Sequence, residues 1–299
     1  MSDEGLRAME AIASKTVFVA LVLSGIAYAI AWAARGSKVV PRMGAVLAGA
    51  GLAGCAVIFI SRGLQPEAPR LPLTTLYEFA VIFTAGIVGF YLVASIRWDL
   101  RSIGTPVMAL ACAVFGLGSK WYQAVEPTLM PALNSVWLNI HVVTAMLAYG
   151  PLAVGAMTGA YALVLYARES PGGRRAAASR DDGDGEASGA KPLTGDDLDD
   201  ITYRTIAFSF PWLTALIITG AIWAQYAWGT YWAWDVKEVW SLITWIIYAA
   251  YLHMRLMRGW RGRVTAAFGV VGLALVLFTW VGVQWLATHT SWVQSLHTY

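Results

Sequence analysis

Long apolar runs separated by short polar breaks fill this chain from end to end. Runs long enough to cross a hydrocarbon layer of roughly 30 Å fall at about 16–34, 43–60, 74–96, 104–120, 139–167, 204–223, 238–256 and 264–285. They predict eight transmembrane helices and an all-α polytopic membrane protein. Composition agrees: of 299 residues 58% are hydrophobic and only 13% charged, about half the charge of a soluble domain. The first run follows an acidic start (Asp3, Glu4, Glu10) and lacks a small-residue cleavage site, so it reads as a retained span.

Charge then orients the spans. The first, third, fifth and seventh loops with their borders hold 15 of the 21 Lys and Arg residues, among them Arg35, Arg97, Arg168 and Arg255. Basic loops stay cytoplasmic, and an even number of crossings places both termini on the outer side. The fifth loop, 168–203, mixes Gly with carboxylates and reads as a disordered cytoplasmic linker, a charged docking segment being the alternative. It divides an N-terminal membrane half, 1–167, with five helices from a C-terminal segment, 204–299. That segment has three helices, a tryptophan-rich external loop and an external tail.

Six of the fifteen tryptophans lie between Trp223 and Trp245. An interface belt accounts for any one of them, but not for three in WGTYWAW beside WDVKE. Trp228, Trp232 and Trp234 are expected to form an outward aromatic shelf for something large, planar and apolar, with Trp240 and Trp245 continuing down the next helix. Asp235 and Glu238 have the spacing of a reciprocal helix cap; a cap role and a ligand role for Asp235 remain equally open.

An iron porphyrin fits such a platform and needs axial imidazoles. The chain has four histidines. His141, opening the fifth span, and His297, in the terminal tail, both fall on the outer side. His253 lies eighteen residues beyond Asp235, roughly 27 Å down the seventh helix at about 1.5 Å per residue, too deep to share their iron. Ionisable groups at that depth mark pathways or cofactors, although a hydrogen-bonded histidine near Arg255 is also open. His289 has no such positional argument. Tyr77 and Glu78, opening the third span, could orient a ligand or be satisfied interfacial groups. Cys55 and Cys112 stand alone in apolar runs and read as buried thiols.

The segment from Ile222 to Arg255, IWAQYAWGTYWAWDVKEVWSLITWIIYAAYLHMR, resembles the CcsA/ResC family, the heme-handling membrane component of system II cytochrome c biogenesis. LNIHVVTAMLAYG and the terminal LHTY carry the same resemblance. It implies a WWD domain whose flanking external histidines, here His141 and His297, coordinate heme b held transiently as substrate and ligand. The family's deeper membrane histidine falls on His253, paired with one from a CcsB/ResB-type partner. Tyr77 and Glu78 match a tyrosine-glutamate sequence of the family, with Phe79 where a small polar residue is usual, and Val236 replaces a proline.

The implied role is to bind heme and translocate or present it at the outer face of the bacterial cytoplasmic membrane, as the heme-presenting component of a holocytochrome c synthetase. It serves an apocytochrome c bearing CxxCH, indirectly supported by thiol-reducing thioredoxin-like proteins, with no nucleic acid involved. His141, His297 and Asp235 would carry the reaction by positioning, with no nucleophilic triad; Trp228, Trp232, Trp234 and Trp240 would hold the porphyrin. A heme exporter or carrier without attachment activity is the alternative, and a membrane scaffold the second.

Overall fold

The computed structural model describes residues 2–34, 37, 39–65, 70–120, 122, 133–168 and 193–289. Among them every regular element is helical. Helix α1 (Asp3–Ala33) starts at a Ser2 cap and carries Asp3 and Glu4 in its first turn, where negative charge suits the helix dipole. It is followed by α2 (Val39–Gly63), α3 (Leu76–Arg97), a 3-10 turn (Leu100–Ile103) and α4 (Gly104–Ser119). Next come α5 (Val136–Arg168), α6 (Gly195–Trp228) and α7 (Val236–Arg258). The last span joins α8 (Arg263–Leu277), a five-residue π-helical stretch (Phe278–Gly282) and α9 (Val283–His289).

Seven of these helical segments are long and apolar enough to cross a membrane. Helix α7, expected as a further span, is long enough at 23 residues but more polar. Lys237 and Glu238 sit at one end and His253, Arg255 and Arg258 at the other. Large apolar side chains stand exposed around the bundle, including Ile12, Val46, Val93, Ile218 and Val271, as a lipid-solvated surface requires. The protein is a multi-pass helical membrane protein.

The sequence reading of 168–203 as a disordered linker needs correction at its C-terminal end. Helix α6 begins at Gly195, with Thr194 and Asp197 forming a reciprocal cap. Its first turns are locked in place: Arg255 of α7 pairs with Asp199 and Asp200. Asp199 also accepts hydrogen bonds from Thr265 Oγ1 (2.8 Å) and the Gly262 amide (3.3 Å) at the start of α8. This segment reads as linker because it is acidic; carboxylates at a helix start are favourable in their own right. Residues 169–192 lie outside the described residues.

Helices α1 to α4 pack on one another, and α5 packs chiefly on α6 and α8, with α7 against α6 and α8. Helix α3 joins the two groups through α5. Small residues make that junction close: a Cβ on Gly150 would lie 2.6 Å from the carbonyl carbon of Gly86. Similarly, a Cβ on Gly159 would lie 2.7 Å from the Ala266 carbonyl oxygen, where α5 meets α8. Without water between helices, such backbone approach replaces the hydrophobic effect as the source of cohesion.

Candidate functional site

Four helix ends and one helix interior meet at one end of the bundle: the starts of α3, α5 and α7, the end of α6, and the π-helical stretch leading into α9. Between them lies a cleft walled by Phe79, Leu138, Val142, Leu216, Trp232 and Trp280. His141, Lys237, Glu238 and Gln284 also line it.

His141 stands in the second turn of α5, and its position is fixed from α6. Its Nδ1 lies 3.0 Å from the carbonyl oxygen of Leu216. A carbonyl only accepts, so Nδ1 carries the proton and the ligating lone pair of the neutral ring is on Nε2. Trp223 lies nearly parallel to the imidazole, at 6.1 Å between centroids and 19° between planes. Gly220 makes this approach possible, since a Cβ there would fall 2.8 Å from Cε1 of His141 and 2.9 Å from Nδ1.

The expected cap on α7 forms as the spacing predicts. Asp235 Oδ1 accepts from the Lys237 amide at 2.8 Å. Glu238 Oε2 accepts from the amides of Asp235 (3.1 Å) and Ala233 (2.8 Å). Both carboxylates therefore hold the loop between α6 and α7, which Gly229 begins in the left-handed conformation at φ 76°. Asp235 is buried.

The tryptophans do not form one flat shelf. Trp228 packs edge-on against buried Trp223 at 4.7 Å. Trp232 and Trp234 are perpendicular, at 87° and 5.9 Å, and Trp232 is the one of the two that lines the cleft. Trp234 is 71% exposed and holds φ 58°. Trp240 turns to the π-helical stretch and meets Phe278 edge-on at 4.5 Å. Trp245 donates to Thr214 Oγ1 at 2.9 Å. Edge-to-face packing of this kind satisfies the ring quadrupoles and makes most of these rings supports for the cleft's frame.

Tyr77 and Glu78 point away from His141, into the N-terminal helices. The Tyr77 hydroxyl is 2.9 Å from Ser14 Oγ, and its ring lies under the Arg62 guanidinium. Glu78 binds Arg62 Nε at 2.9 Å and Arg70 Nη1 at 3.2 Å, while Arg62 also reaches Glu10 at 2.9 Å. A buried arginine of this kind is stable only with its charge fully matched. Glu78 still bears on the cleft, because Oε2 accepts from the Thr74 amide (2.8 Å) and the Thr75 amide (3.1 Å), both cleft-wall residues. Phe79, one position on, faces His141's cleft, as does Leu76 at the start of α3.

His253 lies at the opposite end of α7, exposed on the bundle surface. His297 lies outside the described residues. His289 is exposed and donates Nδ1–H to the Trp285 carbonyl at 2.9 Å. Sequence reasoning missed Gly220, Lys237, Trp280 and Gln284. Gln284 carried a signal, a lone amide inside an apolar run; Gly220 carried none.

Among the described residues no three His, Cys, Asp or Glu side chains gather to hold a bare metal ion. An iron porphyrin brings four nitrogen ligands of its own and asks the protein for axial ones. One correctly tautomerised imidazole in an aromatic cleft fits that requirement.

Comparison with known proteins accords with this geometry. The family described as cytochrome C assembly protein matches residues 14–290. Cytochrome c biogenesis protein CcsA of Synechococcus sp. (strain CC9902) is 36% identical over 252 residues, covering 78% of this chain and 79% of its own. The CcsA of Gloeobacter violaceus is 30% identical over 340 residues, covering 100% of this chain and 98% of its own. The fold is similar to cytochrome c heme lyase CcmF, with TM-score 0.69 and 17% identity over 94% of this chain. This chain spans about half of that one (47%), and the likeness concerns the fold alone. With the family pattern running from residue 14 to 290 and relatives at 30–36% identity, the chain belongs to the cytochrome c assembly protein family.

Proposed function

We propose that this cytochrome c biogenesis protein binds heme b as its substrate in the cleft beside His141 and presents it for thioether attachment to the CxxCH motif of an apocytochrome c. The single observation that carries the reading is the hydrogen bond from His141 Nδ1 to Leu216, which prepares Nε2 as an axial ligand within aromatic walls. His297 supplies the second external imidazole. Heme brings its own reactive vinyl groups. The protein's contribution is to hold the iron, orient the ring and exclude water with Phe79, Trp232 and Trp280. Asp235 and Glu238 keep the loop above the cleft in register.

In this reading α7 completes eight crossings, both termini face outward, and the cleft opens at the outer face of the bacterial cytoplasmic membrane. The basic ends of α5, α7 and α8 (Arg168, Arg255, Arg258, Arg261, Arg263) face the cytoplasm. His253 then lies near the cytoplasmic side. Its exposure, shared with Ile246 and Met257 on the same helix, suits an iron site completed by an imidazole of a CcsB/ResB-type partner, as in a system II synthetase complex.

The test is co-expression of this chain with such a partner and an apocytochrome c in cells lacking their own assembly system. A cytochrome with covalent heme is expected, lost on His141→Ala. External free heme with no covalent product would favour a carrier, and absence of a stoichiometric Soret band from the purified protein would leave only a scaffold.

A further inference from the structure

The cleft has one wall whose placement is set from outside it. Leu73, Thr74, Thr75 and Leu76 line the cleft in succession, so the segment leading into α3 forms that wall. Residues 73–75 lie outside any helix and take their order from the Glu78 carboxylate. Its Oε2 accepts from the Thr74 amide (2.8 Å), the Thr75 amide (3.1 Å) and Thr74 Oγ1 (3.2 Å). Glu78 is in turn held by Arg62 Nε at 2.9 Å and by Arg70. Arg62 is itself fixed: its Nη1 donates to Glu10 Oε1 of α1 at 2.9 Å, and the rings of Tyr77 and Tyr122 lie 5.3 and 5.6 Å from its guanidinium. Arg62 and Glu10 are each 1% exposed, and neither is among the residues lining the cleft.

Stability alone does not call for such a cluster, because well-packed apolar side chains of similar volume hold helices together as well or better. What apolar packing lacks is direction. A planar guanidinium fixes the plane and the distance of each carboxylate it binds, and Glu78 passes that constraint to two backbone amides of the cleft wall. Resting on the heme-binding reading, we propose that Arg62 and Glu10 are positioning residues of the heme site. Through Glu78 they set the 73–76 wall against which the porphyrin lies, so that α1, which contributes no side chain to the cleft's lining, governs how firmly heme is kept. Glu10 and Glu78 stand on different helices and need one cation with two divergent N–H groups between them, which an arginine supplies and a lysine does not.

The experiment loads the purified full-length protein with heme b and follows its release to excess apomyoglobin, a rate to which only folded, heme-bound molecules contribute. Arg62→Lys, which keeps the charge and loses the fork, and Glu10→Gln are each expected to speed release about tenfold. Both should also quicken hydrogen exchange at the Thr74 and Thr75 amides. Asp199→Ala breaks another buried arginine pair, at the far end of α6, and should leave release within about twofold of wild type despite a lower melting temperature. An equal acceleration in Asp199→Ala would mean that any loss of stability loosens heme, and would overturn the assignment. Wild-type release in Arg62→Lys and Glu10→Gln would overturn it too, as would unaltered exchange at the two amides. Glu10→Gln decides the matter if Arg62→Lys does not fold. Failure of the wild type to take up heme b would instead overturn the heme-binding reading itself.

Discussion

Replacing Gly220 by alanine perturbs the site with one added carbon and two added hydrogens. The new Cβ would stand 2.8 Å from Cε1 of His141 and 2.9 Å from Nδ1. Carbon atoms rest at about 3.5 Å or more, so the ring must retreat by about 0.7 Å. A retreat of that size away from α6 carries the 3.0 Å bond to Leu216 past the usual hydrogen-bonding limit. The lost bond is worth about 1 kcal/mol and the overpacking about 1–3 kcal/mol. Coordination geometry tolerates displacements of only about 0.2 Å. Together these effects, about 2–4 kcal/mol, predict a loss of heme affinity of about 30-fold to 700-fold, since 1.4 kcal/mol corresponds to a factor of about ten. The assay is heme titration by Soret absorbance, with the low-spin to high-spin change as a second readout. Gly49→Ala is the control, because nothing lies within 4 Å of its added Cβ and alanine favours a helix. If Gly220→Ala keeps wild-type affinity and a low-spin spectrum, the imidazole held against Leu216 is not the ligand.

Asp199→Ala removes the buried partner of Arg255 and leaves the half-exposed Asp200; a destabilisation of about 3–5 kcal/mol should appear in thermal melts of the solubilised protein, and an unchanged melting curve would contradict the lock between α6, α7 and α8. Asp235→Ala should cost about 1 kcal/mol in capping, read as faster hydrogen exchange at the first amides of α7. An undiminished protection there would refute the capping role. His253→Ala alters an exposed side chain and should change stability by less than about 0.5 kcal/mol. It should abolish a second, partner-dependent heme band while sparing the one that His141 supports; loss of both bands together would argue against two separate iron sites.

Much of the fold was legible because helices in lipid must be long and apolar: the run at 43–60 falls within α2, and that at 74–96 matches α3 (Leu76–Arg97) closely. Where ends were misplaced, polarity was the reason. Helix α1 starts at Asp3 and α6 at Gly195, well before their apolar stretches, and a hydropathy reading discards such acidic first turns. The Thr194 and Asp197 cap was available as a signal, of the same form as the Asp235 and Glu238 cap that was recognised. Facing was harder to read. Tyr77 and Glu78 turn toward Arg62 and Glu10, partners 16 and 68 positions away from Glu78 along the chain, so only tertiary packing shows that Phe79 faces the cleft. The close passage of His141 by Gly220 and the π-helical turn that carries Trp280 are equally products of packing.

Trp234 is the only non-glycine residue with positive φ among the described residues, at 58°. A side chain bearing a Cβ pays about 1–2 kcal/mol for that conformation, whereas Gly229, Gly259 and Gly262 adopt it freely. Its indole recovers little of this from the protein's interior, because 71% of the residue is open to its surroundings. Internal stability alone would favour glycine here. On the proposed reading the strain holds the ring out toward heme, and it makes this loop a place where a more stable protein would be a less useful one.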